Sequence, residues 1–255
     1  MRTPRIYINQ ELNENTDIAL PKETVLHLAQ VLKKKMGNNI ILFNGQLDKN
    51  NQFGEYLAEV TSINKYHATA SIKQYFVKDT KSSTVIELAQ CISKSQHFEI
   101  TLQKAVELGA DIITPVISER SEQMVNQENI DHKVSRWKKI ILSACEQSGR
   151  TNIPVLNSPL LLTTWLSSLP PVTESHLLLS LCTKTTNSLH DIDFNNRIFD
   201  QITIIIGPEG GIADKEIDLL ATSNFQMVKL GSRIMRTETA GIASLAVIQY
   251  LTKNL

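Results

Sequence analysis

From Thr84 onward, runs of apolar and β-branched residues alternate with stretches of helical periodicity. This alternation confines the rest of the chain to a mostly parallel sheet covered by helices on both faces, an α/β architecture. Strands are expected at 84–92, 111–117, 177–181 and 202–206, with a short one near Val228. Helices are expected at 95–108 with Gly109 just past its end, 132–148, 213–223 and 237–251. Residues 5–76 read differently, as short strands around one helix at 22–36. The strand Asn39–Phe43 ends in the turn signal Asn44-Gly45, and "EYLAEV" and "HATASIKQYF" continue as strands, which suggests a small barrel. The polar run 77–83 has no apolar periodicity and reads as a linker, dividing the chain into domains at 1–76 and 84–255.

In a parallel sheet, ligands gather outside the carboxyl ends of the strands, where loops meet helix starts. Two loops stand out there. "IIIGPEGGI" at 204–212 runs a buried-looking strand into three glycines, a proline and one carboxylate. It lacks the spacing of a dinucleotide fingerprint and the Lys-Ser/Thr of a phosphate loop, and Glu209 would repel phosphates. A ligand without phosphate, carrying positive charge, fits better. "LGSRIMRTETA" at 230–240 then enters a long apolar helix, and Thr237, Glu238 and Thr239 are residue types that cap helix starts. Taken singly, a glycine loop is more often a structural turn and "RTET" more often a helix cap.

Composition closes off other classes. Lys and Arg number 26 against 26 Asp and Glu, so any nucleic-acid contact must come from local clustering rather than from the overall field. The cysteines Cys91, Cys145 and Cys182 have no metal spacing and read as reduced core residues of a cytoplasmic protein. No run approaches the roughly 18 apolar residues of a membrane helix, and Met1-Arg2-Thr3-Pro4-Arg5 leads into no signal region.

"IIIGPEGGIADKEI" together with "VKLGSRIMRTETAGIASLAVIQ" resembles the signature of the RsmE family, SPOUT-class methyltransferases of uridine N3 in 16S rRNA. "GNNIILFNG", "QKAVELGADIITPVISERS" and "RWKKIILSACEQSGRTNIP" extend the resemblance over nearly the whole chain. It implies a PUA-like, RNA-binding β-barrel followed by a SPOUT domain with a C-terminal trefoil knot, a homodimer, and S-adenosyl-L-methionine as cofactor. Neither metal nor membrane is implied. One wall of the cofactor site would be Ile206, Gly207, Pro208, Glu209 and Gly210, and the other Leu230, Gly231, Ile234, Met235 and Arg236, with Thr239 and Ala240 closing it and Leu181 beside it. Glu209 could equally be an acceptor tying one loop to another.

The implied chemistry needs help at N3 of uracil, whose lone pair appears only as its proton leaves. Arg236 is the candidate for electrostatic stabilisation and Glu238 for the proton acceptor; the plain alternative is a salt bridge or cap between them. None of the six histidines lies in either loop, so a histidine base is not expected. For rRNA of the small ribosomal subunit, the candidate contacts are Arg2, Arg5 and Lys33, in the 33–35 lysine run that ends the first helix, with Arg120 and Arg150 after the central motifs. Departures from the family pattern are Lys33 for an arginine, Ser180-Leu181-Cys182-Thr183-Lys184 where a Pro-Glu-like turn is usual, and Ser232 and Met235 for proline and leucine.

Overall fold

A computed structural model describes residues 3–121 and 130–254. They form two compact units. The first runs to Thr80 and also takes in Cys145–Ile153; the second comprises Lys81–Ala144 and Pro154–Leu255.

In the first unit, β1 (Arg5–Tyr7), β2 (Asp17–Ala19), β3 (Asn39–Phe43), β4 (Gly54–Ile63) and β5 (Ala68–Val77) form one five-stranded sheet of order β1-β3-β4-β5-β2. Only the β1–β3 pair is parallel; the others are antiparallel. Ile40 and Leu42, Ala58 and Val60, and Ala70 and Ile72 are buried at every second position, the period-2 pattern of a sheet with one covered face. The helix α1 (Lys22–Leu26) continues as a π-helical stretch, His27–Val31, and stops there rather than at residue 36. Lys33 adopts a left-handed φ of 48° and the Lys34 N–H reaches back to the Leu28 carbonyl at 2.9 Å, a closure that satisfies the end of a helix and diverts the chain. The three lysines therefore follow the helix instead of closing it.

Residues 145–153 join this unit through part-buried polar contacts that a contiguous reading of the sequence could not show. The Arg5 guanidinium donates to the Cys145 carbonyl at 2.7 Å and pairs with Glu55 at 3.0 Å. The Tyr7 N–H donates to the Glu146 carboxylate at 2.9 Å, and Thr151 Oγ1 to the Lys78 carbonyl at 2.6 Å.

The second unit carries β6 (Val85–Cys91), α2 (Ser95–Glu107), β7 (Ile112–Ile117), α3 (Ile130–Ser148), β8 (Val155–Leu156), β9 (Leu160–Leu161) and α4 (Leu162–Ser168). It continues with β10 (His176–Leu181), β11 (Gln201–Ile206), α5 (Asp214–Thr222), β12 (Gln226–Val228) and α6 (Thr237–Leu251). The seven strands order as β12-β10-β11-β6-β7-β8, with β9 also on β7, and every pair is parallel. Ile202, Ile204, Ile205 and Ile206 are all buried, as a strand covered on both faces requires. The short elements β8, β9 and α4 lie in a stretch whose apolar runs are too brief to announce themselves.

A polar network crosses this sheet. Buried Glu87 accepts from Thr114 at 2.7 Å, Trp165 at 3.3 Å and Thr203 at 3.1 Å. Thr203 Oγ1, having given its proton to Glu87, accepts from His176 Nε2 at 3.0 Å. Burial lowers the His176 pKa from its ordinary value, against the opposing pull of Glu87. The unfolded chain therefore binds this proton more readily. The stability due to neutral His176 is present above about pH 6.5, the free histidine value, and is lost as pH falls through the lower folded value. Urea titrations should show the midpoint dropping on acidification, with a shallower drop in His176→Asn; equal slopes would remove His176 from the acid response.

Candidate functional site

A cavity of about 1030 Å³ opens at the carboxyl edge of the second unit's sheet, where the loops after β10, β11 and β12 meet the starts of α2 and α6. It lies where strand order turns back around β6, the crevice in which open α/β sheets bind ligands.

The loop after β11 is a closed turn. The Gly211 N–H bonds to the Pro208 carbonyl at 2.8 Å with Gly211 at φ 71°. A Cβ on Gly207 would lie 3.1 Å from the Ile212 backbone nitrogen, so the chain doubles back too tightly there for a side chain. Glu209 ties this loop to the start of α2: its Oε1 accepts from the Lys94 N–H and meets His97 Nδ1, each at 3.1 Å. Burial alone would raise the Glu209 carboxyl, but its own backbone N–H, that of Lys94 and the His97 ring outweigh it and hold the pKa below its ordinary value. Glu209 thus ties this loop to the head of α2, and it also lines the cavity. Arg120 donates to the Gly210 carbonyl and brings its charge to the cavity wall.

The second loop runs from Lys229 into α6. Its start is held to the β10–β11 connection by the Lys229 N–H on the Asn187 carbonyl at 3.0 Å. Gly231 turns at φ 72° into open space, and Ile234 is 86% exposed. The helix start differs from the expected cap. Arg236 occupies the N-cap position and makes no side-chain capping bond. Thr237 instead crosses to the other loop: its Oγ1 donates to the Gly207 carbonyl at 2.6 Å and accepts from Gln90 Nε2 at 2.9 Å. One buried hydroxyl thus joins the ends of β6 and β11 to the head of α6.

Leu181, Ile206, Gly207, Pro208, Glu209, Gly210, Leu230, Gly231, Ile234, Met235, Arg236 and Ala240 all line the cavity, whereas exposed Thr239 does not. Arg236 and Glu238 line it too, without the salt bridge between them that was the plain alternative. Arg236 makes no ion pair among the described residues. Glu238 is 14% exposed at its side chain, and its buried Oε2 has no hydrogen-bond partner among them. His97 is the residue the sequence reading missed. It lies outside both glycine loops, yet its Nδ1 sits 3.7 Å from Glu238 Oε2 as well as beside Glu209. The rule that located the loops could have found it, since α2 begins just past the carboxyl end of β6.

The expected RNA contacts separate. Arg120 and Lys33 are exposed. Arg5 and Arg150 are corrections: the Arg5 side chain is 5% exposed and paired with Glu55, and Arg150 is 5% exposed with Nε donating to the Asn152 carbonyl at 2.9 Å. Both guanidinium groups brace the first unit from inside, where phosphate cannot reach them. Arg2 lies outside the described residues. Among those residues, no group of three or more His, Cys, Asp and Glu converges as a metal site, and no helix is long and apolar enough to cross a membrane.

A concave site with a mostly apolar wall, the Glu238 carboxylate and a rim bearing Arg120, Lys184, Lys229, Arg233 and Arg236 can hold a small cationic ligand beneath a polyanion. Comparison with known proteins agrees. Residues 80–249 match the model of an RNA methyltransferase domain. Ribosomal RNA small subunit methyltransferase E of Buchnera aphidicola subsp. Schizaphis graminum is 32% identical over 248 residues, covering 97% of this chain and 96% of the relative. The Rickettsia conorii protein of the same name is 32% identical, covering 98% and 97%. Among solved structures, a Legionella pneumophila methyltransferase with bound SAM aligns at TM-score 0.88 with 34% identity, and a Neisseria gonorrhoeae ribosomal RNA small subunit methyltransferase E bound to S-adenosyl methionine at 0.85 with 34%; each alignment covers 98% of both chains.

Proposed function

The chain belongs to the RNA methyltransferase domain family, with ribosomal RNA small subunit methyltransferase E proteins as its near full-length relatives, and we propose on that footing that it methylates N3 of one uridine of 16S rRNA, using S-adenosylmethionine. The observation that carries the reading is the convergence of the two glycine-bearing loops on one cavity, joined by the 2.6 Å bond from Thr237 to Gly207.

The residues present fit the cofactor. It has no phosphate, and the loops offer no phosphate cradle. Leu181, Ile206, Leu230 and Met235 provide apolar wall, the 229–236 backbone provides hydrogen-bonding groups for an adenine edge, and the Glu238 carboxylate on the cavity wall suits a nearby positive charge. When bound, S-adenosylmethionine supplies a methyl group on a positively charged sulfur. The chain's own groups prepare the acceptor. Glu238 takes the N3 proton, and Arg236 stabilises the negative charge that develops on the uracil oxygens. Arg120 and Lys33 contact phosphates, and the uridine is flipped out because base pairing occupies N3.

The mostly antiparallel sheet of the first unit supports a PUA-like, RNA-binding module. The path of the chain supports a knot. From edge strand β12, residues 229–236 must cross the end of β10 to reach the α6 start held at β6 and β11, and the β10–β11 connection is tied to them by the Ser188–Lys229 bridge. Exposed Ile234 and Tyr250, 86% and 72% accessible, support a two-fold homodimer. Three unpaired, buried cysteines suit the reducing cytoplasm.

The test is to delete the gene and digest 16S rRNA for mass spectrometry. A 3-methyluridine should vanish and return with the intact gene. Its persistence in the deletion strain would refute the assignment.

A further inference from the structure

We propose that His97 is a positioning residue whose charge sets the basicity of Glu238. The proposal rests on the reading of Glu238 as acceptor of the N3 proton, and it concerns a group that neither glycine loop contains.

Three titratable side chains from three elements meet in the cavity: His97 from α2, Glu209 from the loop after β11 and Glu238 from α6. Glu209 and Glu238 approach the same imidazole nitrogen, Nδ1, at 3.1 Å and 3.7 Å. Glu209, held below its ordinary pKa, is the anionic acceptor of this pair, so Nδ1 carries a hydrogen in both charge states of the ring. The ring stays anchored to Glu209 while its charge changes beside Glu238. Other charges near it are engaged or set apart: Glu99, in the first turns of α2, pairs with Arg136 of α3 and accepts from Ser95, Arg120 is on the Gly210 carbonyl, Lys94 offers its backbone N–H to Glu209, and Arg236 shares the cavity.

A cation beside Glu238 favours its carboxylate over its acid form and so weakens it as a base; neutral His97 removes that restraint. In the proton transfer the N3–H bond breaks, an O–H bond forms on Glu238, and the electron pair stays on N3. The step is easier for the stronger base.

The test is kcat against pH, from about 5.5 to 8.5, at saturating S-adenosylmethionine and rRNA. Wild type should rise roughly three- to tenfold across the range in which histidine titrates. His97→Gln, neutral but able to donate to Glu209, should run flat near the upper plateau, and His97→Lys, permanently charged, flat near the lower one. Cofactor affinity by calorimetry should stay within about threefold in His97→Gln and fall in His97→Lys, whose fixed charge faces the cavity of a cationic ligand, so kcat is read at saturation; if the lysine variant does not fold, His97→Arg takes its place. A pH step retained in the variants, or an equal fall in both, overturns the proposal. A wild-type protein without activity at any pH would instead defeat the functional reading.

Discussion

Arg236→Ala should lower kcat about a hundred- to a thousandfold while S-adenosylmethionine affinity stays within about threefold, the scale seen when a single transition-state donor is removed. The separation of the two effects follows from the environment of the side chain. Arg236 is exposed, makes no ion pair among the described residues, and occupies an N-cap position without a side-chain capping bond. Its loss leaves no buried partner stranded, so stability should change by no more than about 0.5 kcal/mol. The backbone there, φ −64° and ψ 154°, suits any residue, and alanine should leave the cavity wall in place. What is lost, on the proposed mechanism, is the guanidinium assigned to the developing charge. Arg236→Lys keeps the charge but not the planar fork and should recover only part of the rate. An unchanged kcat would remove the stabilising role, and a parallel loss of cofactor binding would move Arg236 from the transition state to the cofactor.

How much of this was legible in the sequence depended on how each feature is encoded. The long elements were, because periodicity and glycine placement are local: α6 spans the expected 237–251, and Gly109, at φ 84°, stands just past α2. So was the meeting of the two loops, because a parallel sheet delivers every strand's carboxyl end to one edge. Side-chain partners were not. Thr237 reads as a cap because threonine caps helices, but with Arg236 at the N-cap its hydroxyl is free to reach Gly207 and Gln90 across sequence separations of 30 and 147 residues. Arg5 and Arg150 read as surface cations because arginine usually is one, and only the folded chain brings Glu55 and the 145–152 carbonyls to them. His97 was passed over because attention to loops left out the first turn of a helix.

Thr237→Val tests the junction on which the whole cavity depends. Valine matches the shape of threonine but removes the hydroxyl that donates to the Gly207 carbonyl and accepts from Gln90, at a residue only 5% exposed. The consequences are unequal at the two partners. Gln90 Nε2 keeps a second acceptor, the Cys91 carbonyl at 3.2 Å, whereas the Gly207 carbonyl loses its hydroxyl donor. Gln90 Oε1 is already without a partner among the described residues and lies 3.0 Å from where a Cβ on Gly241 would be, so the amide has little room to turn and compensate. Leaving buried polar groups in this state costs about 1–3 kcal/mol each, so a total loss of about 2–4 kcal/mol is expected. Because the bond joins the two cavity walls, cofactor affinity should also fall, about ten- to a hundredfold, as binding energy goes into holding the loops together. Thr237→Ser, which keeps the hydroxyl, should restore most of both. Denaturant unfolding and calorimetric titration of the three proteins decide the matter: if the valine variant equals wild type in both, the loops hold their places by some other means, and Thr237 is a helix residue without a role in the site.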